Sequence, residues 1–443
     1  MFSRKNRRPK SPELHAAWES LDSGDVPGAL RALRAVAETA PLAEVAQVTA
    51  RAAATAGFDD LRDAGEALAA HPERAQNLYD FGYACVERGV PVLAIPALRE
   101  AVRLVPDSAA ALRELVSAYE REGRHREAVT ALSAREESLA DWPDRYLLAY
   151  NALMSGDLDL ARRQHERLPD PAADPDDRIW LPARDRQRAM LERAASAAGA
   201  TPLDHRDLRG WQYVMGGSLL GTLSPYGFDE GMHGRYAFLQ ESYDLCLRAL
   251  LRLKLVLEAT GVRPEAVALL PDRDSRIMGL AAAEVLELPV RPFEGAEPGT
   301  LVVAHDLNGL AEDERGREIL AALRERAPGQ VLHEHASCWT DPPVVAADSV
   351  GLLHQHLTPA WAEQMRLDEN GEVGTAPADD RPEAEIAAEI TAADPTPDEG
   401  DGSAPADPDE RPAQLASAVA DTWLRGPRGG VADTGPVSSS RFL

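Results

Sequence analysis

The feature that most constrains this chain is a pattern of bulky and small residues that recurs about every 34 residues through its first third. The best-formed copy spans residues 75–108, and its pattern positions are Leu78, Phe81, Gly82, Cys85, Ala94, Leu98, Ala101 and Pro106. The small residues let two helices cross closely, and the proline follows the second helix. The pattern therefore predicts a stack of helical hairpins that bury their apolar faces against one another.

Further copies of the pattern occur before and after residues 75–108 at the same spacing. An earlier unit begins near residue 10 and a looser one near residue 44, and later units carry Gly123 and Gly156 one and two periods on. Four to five units result, covering residues 10–168. The alternative is an irregular helical bundle, because helical periodicity alone can imitate a degenerate repeat.

This pattern resembles that of the tetratricopeptide repeat proteins. The resemblance implies a helical solenoid with a concave groove that holds another protein or a peptide, which is the role of a scaffold or adaptor. Arg and Glu side chains on the first helices of successive repeats would then select the charge of that partner.

Charge and cysteine content narrow the class of protein. The formal net charge of −26 would repel a nucleic-acid backbone, so a nucleic-acid partner is not expected. The chain has three cysteines and no run of 18 apolar residues, which favours a cytoplasmic protein without disulfides, signal peptide or membrane association. Residues 1–9 form a basic N-terminal arm to which no role is assigned.

The pattern of apolar residues in the sequence changes after the repeats. Residues 169–205 predict a linker followed by a helix, and residues 206–366 alternate short apolar runs with helical segments. Apolar runs at 267–271, 289–293, 300–307 and 330–336, with helices at 275–286 and 313–326, predict an α/β domain with a mainly parallel sheet. A long helix is predicted before them, at 236–260.

Residues 367–443 are expected to form a disordered acidic tail with a short helix near 413–424. The stretch 368–411 contains 15 acidic and 2 basic side chains and shows no apolar periodicity. Such a composition offers too little apolar surface to offset the entropy of ordering a chain.

Acidic residues follow two of the predicted strands, where ligands of a parallel sheet usually bind. Together with the neighbouring polar residues they form a candidate ligand site. Its residues are Asp272, Arg273, Asp274, Ser275 and Asp306. An Asp-x-Asp pair after a strand is suited to Mg²⁺. The alternative is that Asp274 or Ser275 caps the helix that follows.

The order of these elements resembles the core of type I phosphoribosyltransferases. The segment TLVVAHDL would match the strand that carries the diphosphate-site acids, with Asp306 as the remaining acid and His305 beside it. The Thr- and Gly-rich phosphate loop of that family is replaced here by residues 308–312. The resemblance, confined to residues 265–336, implies a fold kept without its catalysis.

Two other groups of residues are candidates for binding. Histidines and one cysteine lie close together late in the chain and could hold Zn²⁺: His333, His335, Cys338, His354 and His356. They could equally be core or edge residues of a strand. Arg235 lies within a glycine-rich stretch, residues 216–236, that could hold an anion or could be an ordinary connection.

No standard nucleotide-binding, hydrolase or metalloprotease motif occurs, so no catalytic residue and no cofactor is assigned. The sequence favours a protein-binding scaffold with a non-catalytic α/β domain. The alternative is a nucleotide- or phosphosugar-processing enzyme that uses Asp272, Asp274 and Asp306.

Overall fold

The computed structural model describes residues 8–312, 314–367, 373–429 and 435–439. The chain divides into two compact units, Met1–Leu181 and Pro182–Leu443. This division falls inside the segment 169–205 that the sequence identifies as a boundary. Residues 1–7 of the basic arm lie outside the described residues.

The described part of the first unit is built from ten α-helices that pack in consecutive pairs. They are α1 (His15–Asp22), α2 (Val26–Val36), α3 (Leu42–Ala56), α4 (Asp59–Ala70), α5 (Ala75–Glu87), α6 (Pro91–Leu104), α7 (Ala109–Arg121), α8 (His125–Ser133), α9 (Tyr146–Met154) and α10 (Leu158–Glu166). Each odd-numbered helix contacts the even-numbered helix after it. The predicted helices of this region are confirmed.

One glycine lies in the turn inside each pair. These glycines are Gly24, Gly57, Gly89, Gly123 and Gly156, each with φ between 65° and 85°. Glycine adopts this left-handed conformation without the steric cost that a side chain adds. Their sequence numbers differ by 32 to 34, so the turns keep the period that the apolar pattern predicts.

Gly82 lies where α5 crosses α6. A Cβ atom at this position would lie 2.4 Å from Cγ of Leu98, whose side chain is fully buried. The two helices can therefore approach this closely only because residue 82 has no side chain.

Gly82→Ala is expected to lower the free energy of unfolding, measured in urea, by about 1–2 kcal/mol. Overpacking lowers the free energy of unfolding by about 1–3 kcal/mol. The better helix propensity of alanine raises it by at most about 1 kcal/mol. The cost should shrink when Leu98→Ala is added, because the smaller side chain makes room. Strictly additive effects of the two substitutions would contradict this account.

Ion pairs connect the second helices of distant pairs. Glu38, which follows α2, accepts a hydrogen bond of 2.9 Å from Arg99 of α6 and pairs with Arg124 ahead of α8. Arg34 of α2 pairs with Glu122, just after α7. Charged side chains therefore link α2 and the residues just after it to α6 and to the turn between α7 and α8.

The second unit, called the α/β unit below, contains a sheet of seven parallel strands among its described residues. These are β1 (Leu219–Leu220), β2 (Tyr236–Gln240), β3 (Ala266–Leu269), β4 (Val290–Pro292), β5 (Thr300–Ala304), β6 (Val331–Cys338) and β7 (Ser349–Thr358). A separate antiparallel pair is formed by β8 (Gln364–Leu367) and β9 (Val373–Ala376). The predicted α/β domain with a mainly parallel sheet is confirmed.

Eight further helices belong to the described part of this region. They are α11 (Leu181–Ala197), α12 (Leu208–Gly216), α13 (Tyr243–Thr260), α14 (Arg273–Leu286), α15 (Leu307–Leu310), α16 (Glu314–Arg324), α17 (Glu383–Thr391) and α18 (Glu410–Val419). None of the helices in the described residues has both the length and the apolar character needed to span a membrane.

The strands are ordered β4-β3-β5-β6-β7, and β1 and β2 both pair with β7. In the sheet, β4 lies on one side of β3 and β5 on the other, so the chain crosses from one side of β3 to the other between β4 and β5. The loops after β3 and β5 therefore diverge between these strands, which is where parallel sheets form ligand crevices.

The long helix predicted at 236–260 is wrong in its first part. Residues Tyr236–Gln240 form β2, which pairs with the carboxyl half of β7, and α13 begins only at Tyr243. The side chain of Ser242 accepts a hydrogen bond of 3.3 Å from the N–H of Leu245 and so begins the helix. Strand pairing with a distant segment overrides the helical periodicity of this stretch.

The prediction of a disordered tail is also wrong for its described residues. Helix α17 packs against α14 and α18 packs against α13. Four apolar side chains make this possible, because Ile386, Ile390, Leu415 and Val419 are all buried. The short helix expected at 413–424 is found at Glu410–Val419.

Candidate functional site

Two pairs of stacked tyrosines occupy equivalent places on α5 and α9. Tyr79 and Tyr83 precede the turn glycine Gly89 by ten and six residues, and Tyr146 and Tyr150 precede Gly156 by the same intervals. The ring centroids within the two pairs are 6.2 and 6.3 Å apart, and the rings are inclined by 24° and 18°. Because their positions in the repeat are equivalent, we group these four side chains under one name, the tyrosine face.

The tyrosine face is accessible. Tyr83 is 46% exposed and the other three tyrosines are half-buried. Two tryptophans extend it beyond α9: the centroid of Trp142 lies 6.1 Å from Tyr146 and 6.0 Å from Trp180. Stacked, partly exposed aromatic rings offer large contact area at little entropic cost, which is typical of protein-binding surfaces.

Carboxylates border the tyrosine face at α5 and α7. Burial and the nearby charge of Glu87 raise the pKa of Glu114, and burial and Glu114 raise the pKa of Tyr79. Arg113, at the place in α7 equivalent to Tyr79, is held by Asp144 through hydrogen bonds of 2.6 and 3.2 Å. The carboxylates Glu87 and Glu114 therefore repel each other, and a cation placed between them would be stabilised.

In the α/β unit, the predicted residues after β3 each have a structural partner. Oδ1 of Asp272 caps α14 by accepting a hydrogen bond of 2.8 Å from the N–H of Ser275. Oγ of Ser275 accepts one of 3.0 Å from the N–H of His305, and Oδ1 of Asp274 accepts one of 2.6 Å from the indole of Trp361. The helix is therefore capped by Asp272, and the expectation that Asp274 or Ser275 caps it is wrong, because both residues lie inside its first turn.

Arg273 and Asp306 are likewise engaged. Arg273 donates to the carbonyl oxygens of Asp379 and Arg381 at 2.8 and 3.0 Å, and so holds the segment before α17. Asp306 caps α15 through the N–H of Asn308 at 2.8 Å, and burial raises the pKa of this carboxyl.

A cavity of about 200 Å³ lies at the divergence of the loops after β3 and β5. Its lining includes Asp272, Gly309 and Arg315. The expected crevice is therefore present, and it brings Asp272 together with the loop that replaces the phosphate loop. Asp306 is directed into its helix cap and is not one of the lining residues.

Arg235 does not form the anion site proposed from the glycine-rich stretch. Its guanidinium is fully buried, donates to the carbonyl oxygen of Val437 at 3.0 Å, and lies 5.5 Å from the ring of Trp339. Burial lowers its pKa to about 10. Arg235 thus anchors a late segment of the chain.

The five residues proposed for zinc do not form one ligand set. Nδ1 of His333 lies 3.1 Å from Oγ of Ser349, the ring of His356 stacks on Phe238, and Cys338 lies 3.4 Å from Oγ1 of Thr340. Burial lowers the pKa of His333 to about 3 and that of His354 to about 4. Of the five, His335 alone belongs to a set of three close metal-ligating side chains among the described residues.

His335 takes part in a buried network at the carboxyl end of the sheet. Nε2 of His335 lies 2.6 Å from Oε1 of Glu241, and Nε2 of His305 lies 3.0 Å from Oε2 of the same carboxylate. Burial alone would raise the pKa of Glu241, but the two histidines outweigh it and lower that pKa. Burial opposes protonation of His305, yet Glu241 raises its pKa.

A second carboxyl group lies beside this network. Glu334, on β6, is fully buried and accepts a hydrogen bond of 2.8 Å from the N–H of Leu307. Burial raises its pKa to about 8. The interior at this end of the sheet is therefore unusually polar.

Sequence reasoning missed Glu241 and Cys246 because both fell inside or beside the helix predicted at 236–260. The signal that could have found them is Ser242, a preferred cap residue, which separates Glu241 from the helix.

No protein-family model matches the chain, and no curated protein matches it in sequence.

Proposed function

We propose that this protein is a binding scaffold whose first unit holds an extended segment of another protein across the tyrosine face. The observation that carries the proposal is the recurrence of stacked tyrosine pairs at equivalent places on α5 and α9. Burial of such rings against a partner supplies the large, fully desolvated contacts that dominate binding energy.

The charges around the tyrosine face favour a basic segment. Glu114 is half-buried and lies near Tyr79, and Glu87 raises the pKa of Glu114 more than Arg121 lowers it. An Arg or Lys side chain between them would relieve their repulsion and could stack on the tyrosine rings. The expected partner segment therefore combines a basic residue with aromatic or aliphatic neighbours.

The three acids that an enzyme would use in the α/β unit have structural partners. Two of the three acids that a phosphosugar enzyme would use, Asp272 and Asp306, cap helices, and Asp274 accepts a hydrogen bond from Trp361. The enzyme alternative therefore has weaker support than the scaffold.

Selection of a random peptide library displayed on phage against the purified full chain tests the proposal. We expect enriched peptides to carry Arg or Lys beside aromatic or aliphatic residues. Tyr83→Ser and Tyr150→Ser should each weaken the best peptide by about 10-fold, which corresponds to about 1.4 kcal/mol. Glu114→Gln should weaken basic peptides selectively.

Phe238→Ser is the matched control, because Phe238 is a 67% exposed aromatic residue of the other unit. It should leave peptide affinity unchanged. Enriched peptides that bind the tyrosine variants as tightly as the unmodified chain would refute the assignment of this surface.

A further inference from the structure

Three metal-ligating side chains converge in the interior of the α/β unit. The ligand atoms of Glu241, Cys246 and His335 all lie within 4.8 Å of one another, and all three residues are buried. They come from different elements: Glu241 follows β2, Cys246 lies in the second turn of α13, and His335 is on β6. The tertiary fold, rather than a local motif, brings them together.

The three donor atoms lie close enough to share one small divalent ion once the pocket opens. Nε2 of His335 lies 2.6 Å from Oε1 of Glu241 and 3.8 Å from Sγ of Cys246. Tetrahedral zinc, with bonds of about 2.0–2.3 Å, separates its ligand atoms by about 3.2–3.6 Å. To admit the ion, the first separation would have to increase by at least about 0.6 Å and the second to decrease by at least about 0.2 Å.

The chemistry of the donors points to zinc among the common metals. Thiolate and imidazole ligands suit zinc, whereas Mg²⁺ and Ca²⁺ require oxygen ligands. His305 contacts one of these donors, since its Nε2 lies 3.0 Å from the second oxygen of Glu241. This arrangement resembles the outer-shell contacts that orient metal ligands in proteins.

The charge of the site is compatible with a divalent cation. The side chain of Glu241 is completely inaccessible to solvent, and a buried carboxylate costs several kcal/mol unless positive charge offsets it. Zinc would provide such a charge, with the Cys246 thiol ionised by the metal.

We propose that Glu241, Cys246 and His335 bind one structural zinc ion inside the α/β unit, with His305 as a positioning residue that orients Glu241. The ion fastens the start of α13 to β6. One water molecule would complete the tetrahedral coordination, and because all three protein ligands are buried, the ion stabilises the unit.

Metal analysis of the full chain, purified without an affinity tag and equilibrated with buffered zinc, tests the proposal. We expect about one zinc per chain. Cys246→Ser and His335→Gln should each reduce the zinc content below about one tenth of this value. His305→Gln should retain zinc with affinity weaker by about 10–100-fold, as expected for loss of an outer-shell contact.

Cys338→Ser is the matched control, because Cys338 is a half-buried thiol outside the ligand set. It should bind zinc like the unmodified chain. Cobalt replacement in the unmodified chain provides a readout that does not depend on the folding of any variant: a tetrahedral visible spectrum and a thiolate charge-transfer band are expected.

Absence of both stoichiometric zinc and the cobalt spectrum in the unmodified chain would overturn the proposal. The network of Glu241, His305 and His335 would then be a proton-linked ion pair. Loss of zinc binding in Cys338→Ser but not in Cys246→Ser would likewise overturn the ligand assignment.

Discussion

Replacement of Asp348 by alanine is expected to lower the free energy of unfolding of the α/β unit by about 3–5 kcal/mol, the usual cost of removing one partner from a buried ion pair. Asp348 is 2% exposed, and its Oδ2 accepts hydrogen bonds from Nε and Nη2 of Arg428 at 3.0 and 2.7 Å. Oδ2 also accepts from the N–H of Leu332 at 2.8 Å, and Arg326 pairs with the other oxygen.

The size of the effect comes from what remains after the substitution. Arg428 is itself 2% exposed, so its guanidinium would stay buried beside the neutral carbonyl oxygens of Leu323 and Gln330. A buried charge without a counter-charge is far more costly than the absence of the pair. Combining Asp348→Ala with Arg428→Met should therefore recover part of the lost stability.

Urea unfolding followed by circular dichroism measures this effect. Asp421→Ala is the control, since Asp421 is exposed and its removal should change stability by no more than about 0.5 kcal/mol. A loss below about 1 kcal/mol in Asp348→Ala, or a further loss in the double variant, would contradict the role given to this pair.

Asp407→Ala is the second substitution with a large expected effect. Asp407 lies 2.9 Å from Nη2 of Arg209, pairs with Nη1 of Arg252 at 2.5 Å, and accepts from the N–H of Leu223 at 3.1 Å. Both arginines are buried, so its removal leaves Arg209 without an ion-pair partner and Arg252 with only the exposed carboxylate of Asp409. We expect a loss of about 3–5 kcal/mol.

Limited proteolysis reports the structural consequence. Asp407 joins the segment ahead of α18 to the start of the α/β unit, so its removal should expose residues 393–409 to cleavage at low protease concentration. Glu399→Gln, a change at an exposed carboxylate of the same segment, should be cut at the rate of the unmodified chain. Equal cleavage rates in Asp407→Ala and the unmodified chain would contradict the anchoring role.

Asp407 should also make the stability of the α/β unit depend on pH. Burial alone would raise the pKa of Asp407, but Arg209 and Arg252 outweigh it and lower that pKa. A carboxyl with a lowered folded-state pKa stabilises the protein fully above its unfolded-state pKa of about 3.9 and loses this contribution as the pH falls through the folded-state value. Asp407→Asn should therefore show a shallower loss of stability on acidification.

Helix and strand order in most of the chain could be predicted from the sequence because the relevant forces are local. The apolar run 300–307 and the helix 275–286 became β5 and α14 with small shifts of their ends. The turn glycines kept the predicted period because their left-handed backbone is a property of the residue itself.

The remaining features depend on contacts between distant segments. Residues Tyr236–Gln240 form a strand only because β7 offers an unpaired edge. The acidic segment is ordered by four apolar side chains and by buried arginines elsewhere, which an average over its composition cannot reveal. The predicted zinc ligands all lie on β6 and β7 or close to them in the sequence. In the structure, the residues whose ligand atoms lie near His335 are Glu241 and Cys246, which come about 90 residues earlier in the chain.

The hydrogen bond from Arg235 to the carbonyl oxygen of Val437 has a consequence for biosynthesis. About two hundred residues separate the two groups, and the guanidinium is buried only when both are in place. The helical hairpins can form as they emerge from the ribosome, since each contacts its immediate neighbours. The contact made by Arg235, by contrast, can form only after residue 437 has left the exit tunnel, so this guanidinium is among the last groups of the α/β unit to find its partner.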